Sequence, residues 1–452
     1  MTRPGTSAPG APATSGRVRV VVTGLGCLTA CGANAATTWE AVLAGRSGVR
    51  PVTDWDPPDG AGAAQASPPR AERGAQRLAA EIEPLDPRRL VADRKLLKVI
   101  SRQDAIGLNA ADQAIAHAGL TEHRAALADP APFDDRTGVF VGSPGTKYRQ
   151  QHDYLPALAQ SGGDLRAFGA AALETVHPMW LLRTLPNNVL AYVAIGHGYK
   201  GANQNITAHG ISGVQAVAEA CRYLRDGAID RAVVVAYDSV AEREALVYYA
   251  AMGLVGSKAP APFDRDRDGT VLGEGAGALV LETLEAASRR GATIHGEILG
   301  CAVNSEAEGI LAVRDDGDGV ARAMRAALAD AGREPEEVGM VTAHANGTQG
   351  SDASEARAIV GVFGPGGPPV TGFKWSLGHT VAASGAIESA LTLSCLRRRR
   401  IPGIATLRNL APECEGVRAS ASEQEPRTKL ALVTTRGFAG LNGCLVLSAD
   451  AV

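Results

Sequence analysis

Apolar positions along this chain alternate between two patterns. Continuous runs of Val, Leu, Ile and Ala read as buried strands: VRVVVTGLG (Val18 to Gly26), RTGVFVGS (Arg136 to Ser143) and RAVVVAYDS (Arg231 to Ser239). Between them lie stretches with helical spacing, at Thr37 to Leu43, at Gln103 to Ala118 with Ile106, Leu108, Ala111 and Ile115 on one face, and at Gln215 to Leu224. GALVLETLEAASRRGATIHGEILGC joins strand, helix and strand; Gly317 to Gly332 and VGMVTAHANG repeat helix and strand. KLALVTTRGFAGLNGCLVLSA reads as two strands about a glycine-bearing turn. This recurrence predicts an α/β layered fold of two similar halves, 18–280 and 281–452.

Two stretches break the pattern. Residues 1–17, rich in Pro, Ala, Gly and Ser, read as a disordered lead-in with no apolar run fit for a signal peptide. Asp54 to Gly74 has the same bias and reads as a mobile surface loop. No apolar stretch approaches the ~20 residues that a membrane-spanning helix needs, so a soluble protein is expected.

Charge and cysteine content narrow the classes. Lys plus Arg (45) nearly balances Asp plus Glu (48), which leaves no basic stripe for nucleic acid; a small metabolite or another protein is the expected partner. The seven cysteines are scattered except for Cys27 and Cys31, in neither disulfide-scaffold density nor paired metal-ligand spacing. Reduced thiols in a cytoplasm and no metal site follow.

Four separated segments carry chemistry. ITAHGISGVQAVAEA (Ile206 to Ala220) is a glycine-bearing turn entering a helix; VTAHANGTQGSDASEA holds His344, Asp352 and Glu355; GFKWSLGHTVAASGAIESA holds Lys374 and His379; RGFAGLNG holds Phe438 and Asn442. Together, and in this order, they resemble the β-ketoacyl synthase family of the thiolase fold, from Val18 to Ser448. The resemblance implies duplicated α-β-α-β-α layered halves. It also implies a nucleophilic cysteine at the strand-to-helix turn, where a helix N-terminus lowers a thiol's pKa and a backbone N–H meets the oxyanion. Counted forward from Gly201 or back from Ser212-Gly213, that position is Gly210, which keeps the N–H, lacks the thiol and relaxes a strained elbow. His209 stands one residue off, and its side chain is expected to leave the turn in another direction.

By the same resemblance His344 and His379 stabilise the enolate formed when a malonyl extender loses CO2, and Lys374 organises them. The bland alternative is that all three persist as buried hydrogen-bonding groups. Phe438 gates the tunnel and its N–H is the second oxyanion donor. Ala345 and Asn346 depart from the family's His-Gly-Thr pattern, and Ala439 and Leu441 replace a glycine and a threonine of the gate loop. PFDRDRDGTVLGEGAGALVLE is read as a structural turn, since no phosphate-loop lysine pattern accompanies it.

The missing cysteine points to a chain length factor, the partner that forms a heterodimer with a catalytic ketosynthase in type II polyketide and polyene systems. Substrates would ride on the phosphopantetheine of an acyl carrier protein, with no other cofactor. The segment 176–201 would lie at the dimer interface, and RAVVVAYDS would pair with its counterpart in the second subunit. Arg397 to Arg400 reads equally as a solvated helix end or a carrier-facing patch. The competing reading is a malonyl carrier protein decarboxylase using His344 and His379. An unusual acyl transfer or cyclisation, a homodimer with another nucleophile, and a structural scaffold remain open.

Overall fold

The computed structural model describes residues 16–52, 78–145 and 152–450; the expected loop at 54–74 and all but the last two residues of the expected lead-in lie outside them. Twelve strands are described: β1 (Val20–Thr29), β2 (Arg50–Pro51), β3 (Leu78–Ala80), β4 (Thr137–Gly142), β5 (Asn203–Ile206), β6 (Arg231–Ser239), β7 (Leu272–Thr283), β8 (Gly296–Ser305), β9 (Met340–Thr342), β10 (Val370–Thr371), β11 (Leu430–Gly437) and β12 (Leu441–Ser448). The apolar runs become strands because both of their faces are covered; β1, β4, β6 and nearly all of β7 are buried at every position.

Strand order shows the duplication. Ten strands run β10-β9-β11-β12-β8-β1-β7-β6-β4-β5. In the first half β1 pairs antiparallel with β7 and β7 with β6, then β6 with β4 and β4 with β5 in parallel. In the second half β8, β12, β11, β9 and β10 repeat the same order and polarity. The halves touch through a short β1–β8 ladder, Val21 opposite Glu297 and Val22 opposite Gly296. The expected division after residue 280 falls inside β7; the link between halves is the short helix Leu284–Arg289 that follows it.

Helices Ser212–Arg225 and Ser384–Arg398 pack between the two halves. Val214, Val217 and Leu224 of the first meet Ala390 and Leu393 of the second, with Val234 of β6 and Val433 of β11, in one core. The helix Arg102–His117, started by a capping box between Ser101 and Asp104, covers the outer face of the first half with Ala105, Ile106, Ala111 and Ile115. Asp318–Ala331 and Gln349–Phe363 cover the second. These are the layers of the thiolase-type α/β fold.

Two expectations meet the structure here. RAVVVAYDS does not offer an edge for a second subunit, because β6 is paired on one side with β7 and on the other with β4. A strand apolar on both faces signals burial, and burial of this kind belongs to interior strands. The edge is β5, paired only with β4 among the described residues. No helix among the described residues is long and apolar enough to cross a membrane.

Candidate active site

The site forms where the turns leading into the two central helices meet the β11–β12 hairpin. Each half supplies one turn with the same backbone. His209 at φ 50° lies three residues before Ser212, and Val381 at φ 38° lies three residues before Ser384. Left-handed backbone costs a residue with a β-carbon about 1–2 kcal/mol, and strain of this kind collects at functional turns. At the first turn it falls on His209 rather than on Gly210, contrary to expectation.

Glycine at 210 answers a different demand. A β-carbon built there would lie 2.0 Å from the Arg436 carbonyl oxygen of β11, a backbone atom that cannot swing aside. The strand has closed over the place where a side chain would project.

His209, expected to point elsewhere, turns its ring into the cavity. The Phe438 N–H donates to His209 Nδ1 at 3.2 Å, and the two rings stack with centroids 4.0 Å apart at 19°. With Nδ1 an acceptor, Nε2 carries the proton and faces Tyr249 Oη at 2.9 Å. Tyr249 is buried, and burial pushes its phenol up, so it stays neutral.

His344 and His379 lie across the same cavity with ring centroids 5.1 Å apart at 83°. Both are oriented from behind. The Arg436 N–H donates to His344 Nδ1 at 3.2 Å, and the Val381 N–H donates to His379 Nδ1 at 3.2 Å. The proton of His344 therefore sits on Nε2. Burial, then the nearby Lys374, hold its pKa well below the ordinary imidazole value. A neutral donor results.

Lys374 touches neither imidazole. Its ammonium donates to the His344 carbonyl at 2.6 Å and pairs with Glu388, all in the core. Glu388, two turns into no solvent on the Ser384–Arg398 helix, has an Oε2 with no hydrogen-bond partner, and burial pushes its carboxyl up to about 7 against the pull of Lys374. Sequence reasoning passed over Glu388; an isolated glutamate in the apolar run ASGAIESALTL was the available signal.

Asp352 and Glu355 sit on the helix that follows His344 and clamp its loop. Glu355 accepts the His344 N–H at 2.8 Å and the Ala345 N–H at 2.9 Å, holding Ala345 at φ 43°. Asp352 accepts from the N–H groups of Phe263 and Gly347 and lies 3.7 Å from Arg267, which ties the PFDRDRDG turn to the site. Burial pushes its carboxyl up to about 7.

Asn442 stands behind the gate loop. Its amide reaches Glu306 at 3.1 Å, Asn304 at 3.2 Å and the Gly440 carbonyl at 3.2 Å. Arg436, also passed over in the sequence, pairs with Glu306 at 2.8 Å and spends its remaining donors on Asn442 and Ser351. Further bonds lace the loop to its neighbour: Glu306 N–H to the Gly440 carbonyl, and Ala439 N–H to the Ile310 carbonyl. A side chain at Gly440 would meet the Glu306 β-carbon at 2.7 Å, so this contact requires glycine.

The cavity bounded by His209, Tyr249, Ile310, His344, His379 and Phe438 holds ≈ 80 Å³, against the roughly 300–1,000 Å³ of typical small-molecule sites. None of the seven cysteines lines it. Among the described residues no three His, Cys, Asp or Glu side chains form a metal-binding group. The arrangement offers neutral imidazole donors and backbone N–H groups to a carbonyl oxygen, without a thiol.

Comparison with known proteins agrees with this geometry. The sequence profile of the "Beta-ketoacyl synthase, N-terminal domain" matches residues 17–287, and that of the C-terminal domain matches 295–408. The "3-oxoacyl-[acyl-carrier-protein] synthase 2" of Coxiella burnetii is 30% identical over 440 residues, covering 95% of this chain and 98% of the relative. Among solved structures, "The ishigamide ketosynthase/chain length factor" superposes with a TM-score of 0.82 at 29% identity, covering 96% of this chain and 99% of that one. A beta-ketoacyl synthase from Burkholderia phymatum superposes with 0.81 at 26% identity, covering 95% and 99%.

Proposed function

The chain belongs to the β-ketoacyl synthase family, and we propose that within it this protein is a chain length factor-like partner of a cysteine-bearing ketosynthase. The observation that carries the reading is the cavity itself: it keeps the paired histidines, contains no cysteine, and has β11 closed against Gly210, the position aligned with the nucleophile. Such a chain has no group to accept an acyl unit before condensation. The acyl-enzyme then forms on the partner, with substrates delivered on the phosphopantetheine of an acyl carrier protein.

The surface supports the same reading. Leu181 and Ile195, in the segment expected at an interface, are 62% and 74% exposed, and Leu173 on the preceding helix is 89% exposed. Large apolar side chains gathered near one sheet edge mark a surface that a partner covers. The similarity to a ketosynthase/chain length factor structure identifies the class of partner, and the small cavity fits an acyl tunnel whose volume lies mainly elsewhere in the heterodimer.

Co-expression with a cysteine-bearing ketosynthase tests this. A stable one-to-one heterodimer is expected, and a homodimer indifferent to that partner overturns the reading. The second reading, decarboxylation of a malonyl carrier protein, is favoured by the retained pair His344 and His379.

A further inference from the structure

We propose that His209 is a built-in cap on the carbonyl-binding position, so that the decarboxylating machinery of this chain is present but silent while the His209 ring is in place. The inference rests on the family reading above only in taking His344, His379 and the Phe438 N–H as the groups that would receive a thioester.

Three contacts hold the cap. The Phe438 N–H is bonded to His209 Nδ1 and so withheld from any other acceptor. The ring is stacked on Phe438 at 4.0 Å, which keeps the gate side chain against it. Its far nitrogen reaches Tyr249 Oη at 2.9 Å, a phenol anchored in a small apolar cluster with Val240, Leu246 and Val381.

Backbone places the ring there. The duplicated turn requires φ near 50° three residues before the helix serine in each half, and that conformation is met by His209 in one and Val381 in the other. Only the first projects a hydrogen-bonding side chain toward a backbone donor. In a cavity of ≈ 80 Å³ there is no room for both the imidazole and a thioester.

The chemistry held back can be written out. Decarboxylation breaks the bond between the carboxylate carbon and the α-carbon of a malonyl thioester; CO2 leaves, and the electron pair moves through the α-carbon onto the thioester oxygen. That enolate oxygen needs hydrogen-bond donors until a proton from water reaches the α-carbon and yields the acetyl thioester. With Phe438 N–H engaged and the ring in the way, the thioester oxygen cannot lie between that N–H and the histidine pair.

Malonyl-CoA serves as the probe, with acetyl-CoA measured by mass spectrometry. The full chain should convert it at the background rate. His209→Asn, which tolerates left-handed backbone, and His209→Gly should each gain on the order of 100-fold, the effect of one oxyanion donor. His209→Asn combined with His344→Ala should return to background. The proposal is overturned if the unsubstituted chain already matches the variants, or if either variant keeps the native melting temperature and remains silent. Heterodimer formation by the same variants is followed separately by light scattering, so loss of partner binding counts against the partner reading alone.

Discussion

Gly210 and Arg436 stand so close that a β-carbon on the first would lie 2.0 Å from the carbonyl oxygen of the second. The relationship shows that loss of the cysteine is not a simple deletion from an otherwise open site. Strand β11 occupies part of the space that a thiol would need, and His209 occupies the rest.

Restoring the thiol alone should therefore fail. Gly210→Cys forces the end of β11 outward, and overpacking of this kind costs about 1–3 kcal/mol. Chemical denaturation should show that loss, and the purified variant should remain unlabelled by an acyl thioester. A variant as stable as the original chain that becomes acylated would show the closure to be easily reversed.

Lys374 and Glu388 should behave as a unit. Removing the ammonium by Lys374→Met leaves a buried carboxylate that has only that ion-pair partner, a change worth about 3–5 kcal/mol. Lys374→Met combined with Glu388→Leu removes both charges and should recover most of that loss. A double-mutant cycle measured by denaturation distinguishes this from two additive losses.

Two buried groups should give opposite pH signatures. The pKa of His295 is held down to about 4 by burial first, so between pH 6.5 and 4 the unfolded chain binds its proton and the folded chain does not. Stability is lost as pH falls through that window, and His295→Gln should cost less at pH 5 than at pH 7. Asp352, raised to about 7, binds its proton in the folded chain first; its contribution is present below its unfolded pKa and lost as pH rises toward 7. Asp352→Asn should cost more at pH 5 than at pH 7.5. Equal costs at both pH values for either variant would contradict the assignment.

The exposed apolar residues should matter for assembly and little for the fold. Leu181→Asp and Ile195→Asp alter side chains that are 62% and 74% exposed, so each should change the stability of the isolated chain by no more than about 0.5 kcal/mol. Together they should abolish the heterodimer in light scattering. Unchanged association would move the interface elsewhere.

Much of the fold was legible along the chain because its strands carry continuous apolar runs and its helices a clear stripe. β6 begins and ends where the run Arg231 to Ser239 does. The order of β6 in the sheet was not legible, since an apolar run reports that both faces are covered and says nothing about which strands lie beside it. The division between halves was misplaced by a few residues for a related reason: β7 continues through residue 280 without a break in composition.

At the site, residue types and spacing sufficed to single out His344, Lys374, His379, Asp352, Glu355, Phe438 and Asn442, and the fold gathers all of them in or directly behind one cavity. Gly210 was likewise visible as a turn without a thiol. Which way that turn projects was not, because direction depends on a single dihedral: φ 50° at His209 swings its ring onto Phe438 and leaves Gly210 against Arg436. The partners of buried charges were equally hidden, since Lys374 meets Glu388 and Arg436 meets Glu306 only after separate elements pack. Local pattern encodes what each segment prefers; long-range packing sets which groups then share a low-dielectric interior, and there a neighbour's position governs hydrogen bonding and charge.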